Sequence, residues 1–402
     1  MAMTDAPTLQ KAPVYEGDFW SDEVILNPYP AYRELRALGP VIWMERHNTF
    51  ALTHHASVKN GLLNAAVYSS AHGTTMNEPT NAAAKGTMLN SDDPEHLARR
   101  RLFQKPLMPK ALVELKDRLA QLANGRVEEL VAKGSFDAVK DLAHFLPLSI
   151  VVELVGLDAE GREHMLDWAA AIFNAFGPID KPRTREGMQV TQYVVDYVMN
   201  RLERRNLVPT GWGEALFAAH DRGEISELTA RMMLIDYLSP ALDTTINATS
   251  AAIELFAKNP EQWDILRADP LLIPHAIDEV IRLESPIRAF SRLTLTDHEE
   301  CGVAIPENSR VLMLYACANR DEARFEDAER FDITRKPGDH LGFGMGTHLC
   351  AGKHLARLEI SLIVEALLKH VAKFEVIEAE RRPHNTLRGL HRLDVRIERL
   401  NA

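Results

Sequence analysis

Apolar residues recur at three- and four-residue spacing along most of this chain, and the longest such stretch is SELTARMMLIDYLSPALDTTINATSAAIELFAKNP, from Ser226 to Pro260. Ser226 can cap its start and Asn259-Pro260 stops it, which predicts a helix of roughly 31 residues, about 46 Å long at 1.5 Å per residue. Pro240 lies inside this stretch. A proline there removes one backbone hydrogen bond and crowds the preceding turn, so a kink is expected between Asp236 and Pro240. The same spacing fills nearly all of the sequence from Pro94 to Asn259 and returns in AGKHLARLEISLIVEALLKHV. Nearer the start, NPYPAYRELRALG reads as a short helix and PVIWMERHNTFALT as a hairpin. RAFSRLTLTD and SRVLMLYAC read as strands, and DVRIERL as a last edge strand. The pattern predicts a mostly α fold with small β-sheets at both ends.

Composition narrows the class. With 402 residues, 46% apolar and 26% charged, the chain can bury a large core and falls among ordinary soluble proteins. No linker, repeat or low-complexity tract divides it, so one domain spanning 1–402 is expected, with residues 1–13 disordered. A formal charge of -11 argues against nucleic acid, which requires a basic face. Cys301, Cys317 and Cys350 are too few and too scattered for a disulfide framework, which points to the reducing cytoplasm. The N-terminus carries neither a membrane-spanning apolar run nor a signal-peptide core, so no membrane attachment is expected.

The candidate chemistry is concentrated in HLGFGMGTHLCAG, from His340 to Gly352. Gly344, Gly346 and Gly352 permit backbone angles or close approaches that a side chain forbids, so a flat cofactor can lie against the main chain, and Phe343 offers a ring to pack on it. Cys350 sits at or near the start of a helix, where unpaired N–H groups and the dipole favour an anion and lower a thiol pKa. A thiolate there can ligate a metal. The bland alternative is a small buried hydrophobe.

Phe343, Gly344, Gly346, His348, Cys350 and Gly352 together meet the pattern Phe-Gly-x-Gly-x-His-x-Cys-x-Gly, which resembles the haem-binding loop of cytochrome P-450. The resemblance implies a helical prism of triangular outline with a long central helix over haem b, and Cys350 as the axial ligand. Glu279 and Arg282 match the family's Glu-x-x-Arg pair, which is buried with a second arginine, matched by Arg330, in a structural role. SDDPEHLARRRLF resembles the helix crossing one haem edge; His96 and Arg100, with Arg292 and His348, are then expected to hold the two propionates. Asp243 and Thr244 match the acid and alcohol pair of the central helix. Heterolysis of an O–O bond requires protonation of its distal oxygen, and a hydroxyl beside a carboxylate forms a relay for it. The alternative for a mid-helix threonine is a bond back to the i-4 carbonyl. The family's usual Ala-Gly before the acid is replaced here by Pro240 and Ala241, so the kink can open the groove that the glycine usually provides. Ser239 can face substrate or bond back to its own helix.

For the substrate, Phe173 and Phe176 in IFNAFGP and Ile287 and Phe290 in SPIRAFSR are expected around the pocket. FNAFGP, SPALDTT and SPIRAFSR resemble the bacterial branch that oxidises para-substituted benzoates. Such a pocket needs a cation, and the loop NEPTNAAAKGTMLNSDD offers Lys85, with Thr87 nearby; an outward Lys85 would favour a neutral phenol or aldehyde. The implied activity is insertion of one atom of O2 by hydroxylation or oxidative O-demethylation. Other readings are a hydroxylase of another small hydrophobic substrate such as a terpenoid or phenol, a peroxygenase or isomerase, and a non-catalytic haem protein. The stretch after Cys350 is too short for a flavin or iron-sulfur domain, so a ferredoxin and its NAD(P)H-dependent reductase are expected to serve a monomer. Lys353, His354 and Arg357 are the candidate docking cations.

Overall fold

The computed structural model describes residues 11–400 except 239 and 337. Four strands precede the helical body: β1 (Val14–Tyr15), β2 (Val41–Met44), β3 (Thr49–Leu52) and β4 (Tyr68–Ser69). β5 (Ser135–Asp137) lies within it, and β6 (Phe290–Thr294), β7 (His298–Glu300), β8 (Val303–Ile305), β9 (Arg310–Met313), β10 (Val371–Glu380) and β11 (Arg392–Arg399) follow. The helices that position the site are α1 (Glu95–Phe103), α2 (Pro109–Lys133), α3 (Ala159–Asn174), α4 (Pro182–Asp196), α5 (Trp212–Asp221), α6 (Glu227–Leu238), α7 (Asp243–Lys258), α8 (Ile273–Leu283) and α9 (Lys353–Leu368). Among the described residues, no helix is long and apolar enough to cross a membrane.

The expected hairpin forms as β2 and β3, with Val41 opposite Leu52. β3 pairs parallel with β9, which pairs antiparallel with β6, so RAFSRLTLTD and SRVLMLYAC join the N-terminal hairpin in one sheet ordered β1-β2-β3-β9-β6-β4. DVRIERL is not an edge strand. β11 runs between β10 and β5, and its Leu393, Val395 and Ile397 are buried. The start of the chain also differs from expectation: residues 1–10 lie outside the described residues, whereas the Pro13 carbonyl accepts a 2.8 Å hydrogen bond from Trp43 N.

The long central helix is two helices. Ser226 Oγ caps α6 by accepting from Thr229 N at 3.1 Å, and α7 ends at Asn259-Pro260, as the sequence indicates. Between them the helix stops at Leu238 and restarts at Asp243. A kink was the expectation; a break is the outcome, and the gap holds a proline, which lacks the N–H that would bond to the i-4 carbonyl. α7 then runs through the interior, with Ile246, Ala248, Ala251, Ile253 and Phe256 buried in the main apolar cluster. Burying each larger aliphatic or aromatic side chain there stabilises the fold by about 1.5 to 3 kcal/mol, so α7 is anchored by packing well beyond its helix propensity. α9 contributes Leu355, Ile360, Ile363 and Leu367 to the same cluster.

Candidate active site

The cysteine loop is shaped by its glycines. Gly344 and Gly346 have φ of +68° and +67°, a region that side chains avoid, and a Cβ on Gly346 would fall 2.8 Å from the Leu62 carbonyl oxygen. Gly344 N bonds to Leu341 O, and Cys350 N to Phe343 O, each at 2.8 Å, so the loop folds back on itself before Gly352 caps α9. The amides of Gly352 and Lys353 at the helix start favour the Cys350 thiolate. Burial nevertheless outweighs them and the nearby Arg100 guanidinium, pushing the thiol above its ordinary pKa. This corrects the expectation of a lowered value. The helix-start amides are present, but desolvation of the thiolate is the larger effect.

Below the loop, Glu279 and Arg282 of α8 form a fully buried pair, with bonds of 2.7 and 2.8 Å. Arg282 also donates to Asn319 O at 2.7 Å and Ala328 O at 2.8 Å, which ties α8 to the chain leading into the cysteine loop. The second arginine is not Arg330, whose side chain is 62% exposed and 3.8 Å from Asp332. It is Arg335, whose Nε lies 3.2 Å from Glu279 Oε1. Arg330 contributes only its backbone carbonyl, 3.3 Å from Arg282.

Between the cysteine loop and α7 lies an internal cavity of about 230 Å³. One end is lined by Arg100, Arg292 and His348. The His96 and His348 rings lie 4.2 Å apart, so the four residues grouped by sequence do converge. His96 Nε2 is buried with no hydrogen-bond partner among the described residues. His348 is held down to about 2 by burial and by the charges of Arg292, His96 and Arg100. Arg100 meanwhile donates to the carbonyls of Thr347 and Leu349 in the cysteine loop. A crowded cluster of cations with an orphaned imidazole nitrogen fits two carboxylates, and glycine-lined backbone beside a buried sulfur fits a flat iron macrocycle. The residues therefore suit haem, with Phe343, Gly344 and Gly352 against its face and Cys350 as the ligand.

On the other side of the cavity, Asp243 and Thr244 occupy the first turn of α7 rather than mid-helix. Thr244 Oγ1 donates to Pro240 O at 3.0 Å, the i-4 bond considered from sequence. Its lone pairs are left to accept from a donor in the cavity. Asp243 Oδ2 has no partner among the described residues, and burial, with a smaller push from Asp167, raises the carboxyl to about 7. The group is thus near half-protonation at neutral pH.

Phe173, Ile287 and Phe290 line the cavity as expected, with Pro240 and Ala241. Phe176 does not reach it. It packs behind, 5.6 Å from the Phe173 ring and 5.9 Å from Phe290, and lines a smaller recess. Lys85 is exposed and outside the cavity, and Thr87 is spent inside its own loop, donating to Ala84 O at 2.8 Å and accepting from Asn90 N at 3.2 Å. Met88 and Leu89 face the cavity instead, because the loop turns at Thr87. Ser239 lies outside the described residues.

Two acidic lining residues escaped sequence reasoning. Asp236, near the end of α6, accepts from Met88 N at 2.6 Å and Leu89 N at 3.4 Å, and burial pushes it up to about 7. Glu359 of α9 has both oxygens without partners among the described residues, and burial raises it to about 8. An acid within the apolar run MMLIDYL, one turn before a proline, was the readable signal for the first. For Glu359 the signal was its place on the apolar face of α9.

Comparison with known proteins agrees with this geometry. The family model for cytochrome P450 matches residues 213–393. The chain is 37% identical over 376 residues to cytochrome p450 CYP199A2 of Rhodopseudomonas palustris, covering 92% of this chain and 91% of that protein. It is 30% identical over 398 residues to linalool 8-monooxygenase of Pseudomonas putida, covering 94% and 97%. It is also similar to the solved structure of cytochrome P450 CREJ in complex with (4-ethylphenyl) dihydrogen phosphate, with a TM-score of 0.80, 27% identity, and coverage of 93% of this chain and 98% of that one.

Proposed function

The chain belongs to the cytochrome P450 family, and from that premise we propose that it oxidises a small, uncharged aromatic substrate by hydroxylation or oxidative O-dealkylation. It is a monooxygenase that binds haem b through the thiolate of Cys350. When bound, the haem supplies activation of dioxygen with electrons from an outside donor. His96, Arg100, Arg292 and His348 would hold the propionates. The Cys350 thiolate is kept by iron coordination against the burial that otherwise favours the thiol. Thr244, its own proton committed to Pro240 O, accepts from a water and orients it. Asp243, near half-protonation at neutral pH, supplies and recovers the proton.

The observation that carries the substrate reading is the division of charge in the cavity. Its cations, Arg100 and Arg292, sit at the propionate end, and the substrate side presents Phe173, Ile287, Phe290 and Leu89 with the carboxyl of Asp236. Lys85, which might have met an acid, faces solvent. An aromatic ring suits walls of this kind. The (4-ethylphenyl) dihydrogen phosphate of the CREJ structure supports a para-substituted ring in a related cavity, although its phosphate gives that ligand a charge the substrate proposed here lacks. Spin-shift titration tests the reading. 4-Methoxybenzaldehyde should bind about tenfold tighter than 4-methoxybenzoate, a difference of about 1.4 kcal/mol. Equal or tighter binding of the acid would overturn the choice of an uncharged substrate, and a response to linalool alone would replace the aromatic reading with a terpenoid one.

A ferredoxin with its NAD(P)H-dependent reductase is the donor we favour. Lys353 and His354 stand at the start of α9 beside the cysteine loop; Arg357 is engaged with Asp278 at 2.9 Å and adds less free charge. Turnover with an acidic ferredoxin should then slow as salt rises. Salt-independent turnover would count against this face.

A further inference from the structure

Asp236 is one of two buried carboxyls lining the cavity that oxygen activation leaves unused, the other being Glu359 of α9. Asp236 is 8% exposed, lines the cavity, and sits near the end of α6, just before the break. Its neighbours among the described residues explain only part of its presence. Met88 N donates to Oδ2 at 2.6 Å, Leu89 N reaches Oδ1 at a weak 3.4 Å, and no Lys or Arg forms an ion pair with it. A carboxylate offers about four lone-pair positions, so acceptor capacity remains on a buried group in a cavity lined mainly by carbon. A buried acceptor left unpaired is costly, and a donor delivered by the ligand removes that cost.

We infer that Asp236 is a specificity residue that accepts a hydrogen bond from a hydroxyl group on the substrate, selecting phenols and alcohols over ethers and acids. This rests on the reading of the cavity as a site for a small uncharged molecule and adds the polar group that molecule carries. An acid meets like charge at Asp236. An ether brings no donor and leaves the carboxyl as it was. The Met88 and Leu89 amides hold the carboxyl in place, and the side chains of the same two residues form the adjoining wall, so the acceptor and the apolar contact are set together.

The test uses the haem-loaded protein and two matched pairs: 4-ethylphenol against 4-ethylanisole, and linalool against its methyl ether. Binding is read by spin shift and, independently, by quenching of the tryptophan emission to which Trp212 in the cavity wall contributes. In the wild type the hydroxyl member of a bound pair should be tighter by about ten- to a hundredfold, as for a charge-assisted hydrogen bond. In Asp236→Asn that ratio should fall to within about threefold while the ether's affinity stays within about threefold of wild type, since the amide oxygen can still accept from Met88 N. Equal losses for both members would mean that Asp236 only staples the loop, and would overturn the inference. So would a wild type that shows no hydroxyl preference, a result available even if the variant does not fold. A response to the linalool pair alone defeats the aromatic reading and leaves Asp236 to be judged on that pair. Silence from both pairs overturns both.

Discussion

Glu279→Ala is the perturbation whose size follows most directly from the structure. Glu279 accepts from Arg282 Nε at 2.7 Å and Nη2 at 2.8 Å, from Asp332 N at 3.2 Å and from Arg335 Nε at 3.2 Å. Truncation leaves the Arg282 guanidinium, which is 0% exposed, without a counter-charge. Breaking such a buried pair from one side costs about 3 to 5 kcal/mol, or roughly 10² to 10⁴ in the folded-to-unfolded ratio, against a total stability of about 5 to 15 kcal/mol. Two controls locate the third member of the network. Arg335→Ala removes one of several bonds to Glu279 and two to the Glu326 and Asp327 carbonyls, and should cost about 1 to 3 kcal/mol. Arg330→Ala removes an exposed side chain and should stay within about 0.5 kcal/mol of wild type. The assay is urea denaturation of the haem-loaded protein, followed by haem absorbance and by tryptophan fluorescence. A Glu279→Ala protein within about 1 kcal/mol of wild type, or an Arg330→Ala loss exceeding that of Arg335→Ala, would refute the reasoning.

Cys350→Ser should abolish the red-shifted carbon monoxide band of the reduced protein, and a retained band would mean that another residue ligates the iron. Thr244→Ala should keep consuming NADH while hydrogen peroxide replaces product; full coupling in that variant would remove Thr244 from proton handling. Asp243 sets a pH dependence whose sign can be worked out. Its folded-state pKa of about 7 lies above the ordinary carboxylate value, so the folded protein holds the extra proton and the associated stability is lost as pH rises from about 4 through 7. Asp243→Asn should therefore gain stability relative to wild type between pH 5 and pH 8, approximate limits set by that interval. A difference that does not vary with pH would place the titration elsewhere.

What the sequence made legible was what neighbours in the chain decide. The cysteine loop and the Glu279-Arg282 pair depend on short spacings and form as those spacings indicate, whereas the acid and alcohol of α7 stand in its first turn instead of mid-helix. The misreadings all concern contacts made at a distance. Arg330 and Arg335 are both arginines in one loop, and only the path of that loop back to α8 selects Arg335. Lys85 and Thr87 against Met88 and Leu89 is a choice of loop face, settled by Asp236 more than a hundred residues further on. β11 carries a clear alternation, but its central place depends on β10, whose sequence VAKFEVIEAE alternates charge with apolar residues on a largely exposed strand. The thiol pKa was misread for a related reason. Helix-start amides are local, whereas burial is a property of the assembled core.

The break between α6 and α7 joins these observations. It leaves Asp236 near one helix end, where it lines the cavity, and Asp243 at the next helix start. Across the restart of the helix, Thr244 keeps its hydroxyl bond to Pro240 O. Whether proline imposes the break or merely suits it can be read from Pro240→Ala. If the packing of Asp236 against Met88 and of α7 in the core fixes the turn, alanine only loosens the unfolded chain and should lower stability by about 0.4 to 1 kcal/mol, with the Thr244 function intact. If proline alone interrupts a continuous helix, alanine restores the missing N–H, stability should rise by up to about 3 kcal/mol, and peroxide release should increase as the carbonyl returns to the helix ladder. The contacts favour the first outcome. Asp236 is held by two loop amides and α7 is buried over most of its length, so both ends of the gap are fixed independently of the residue between them.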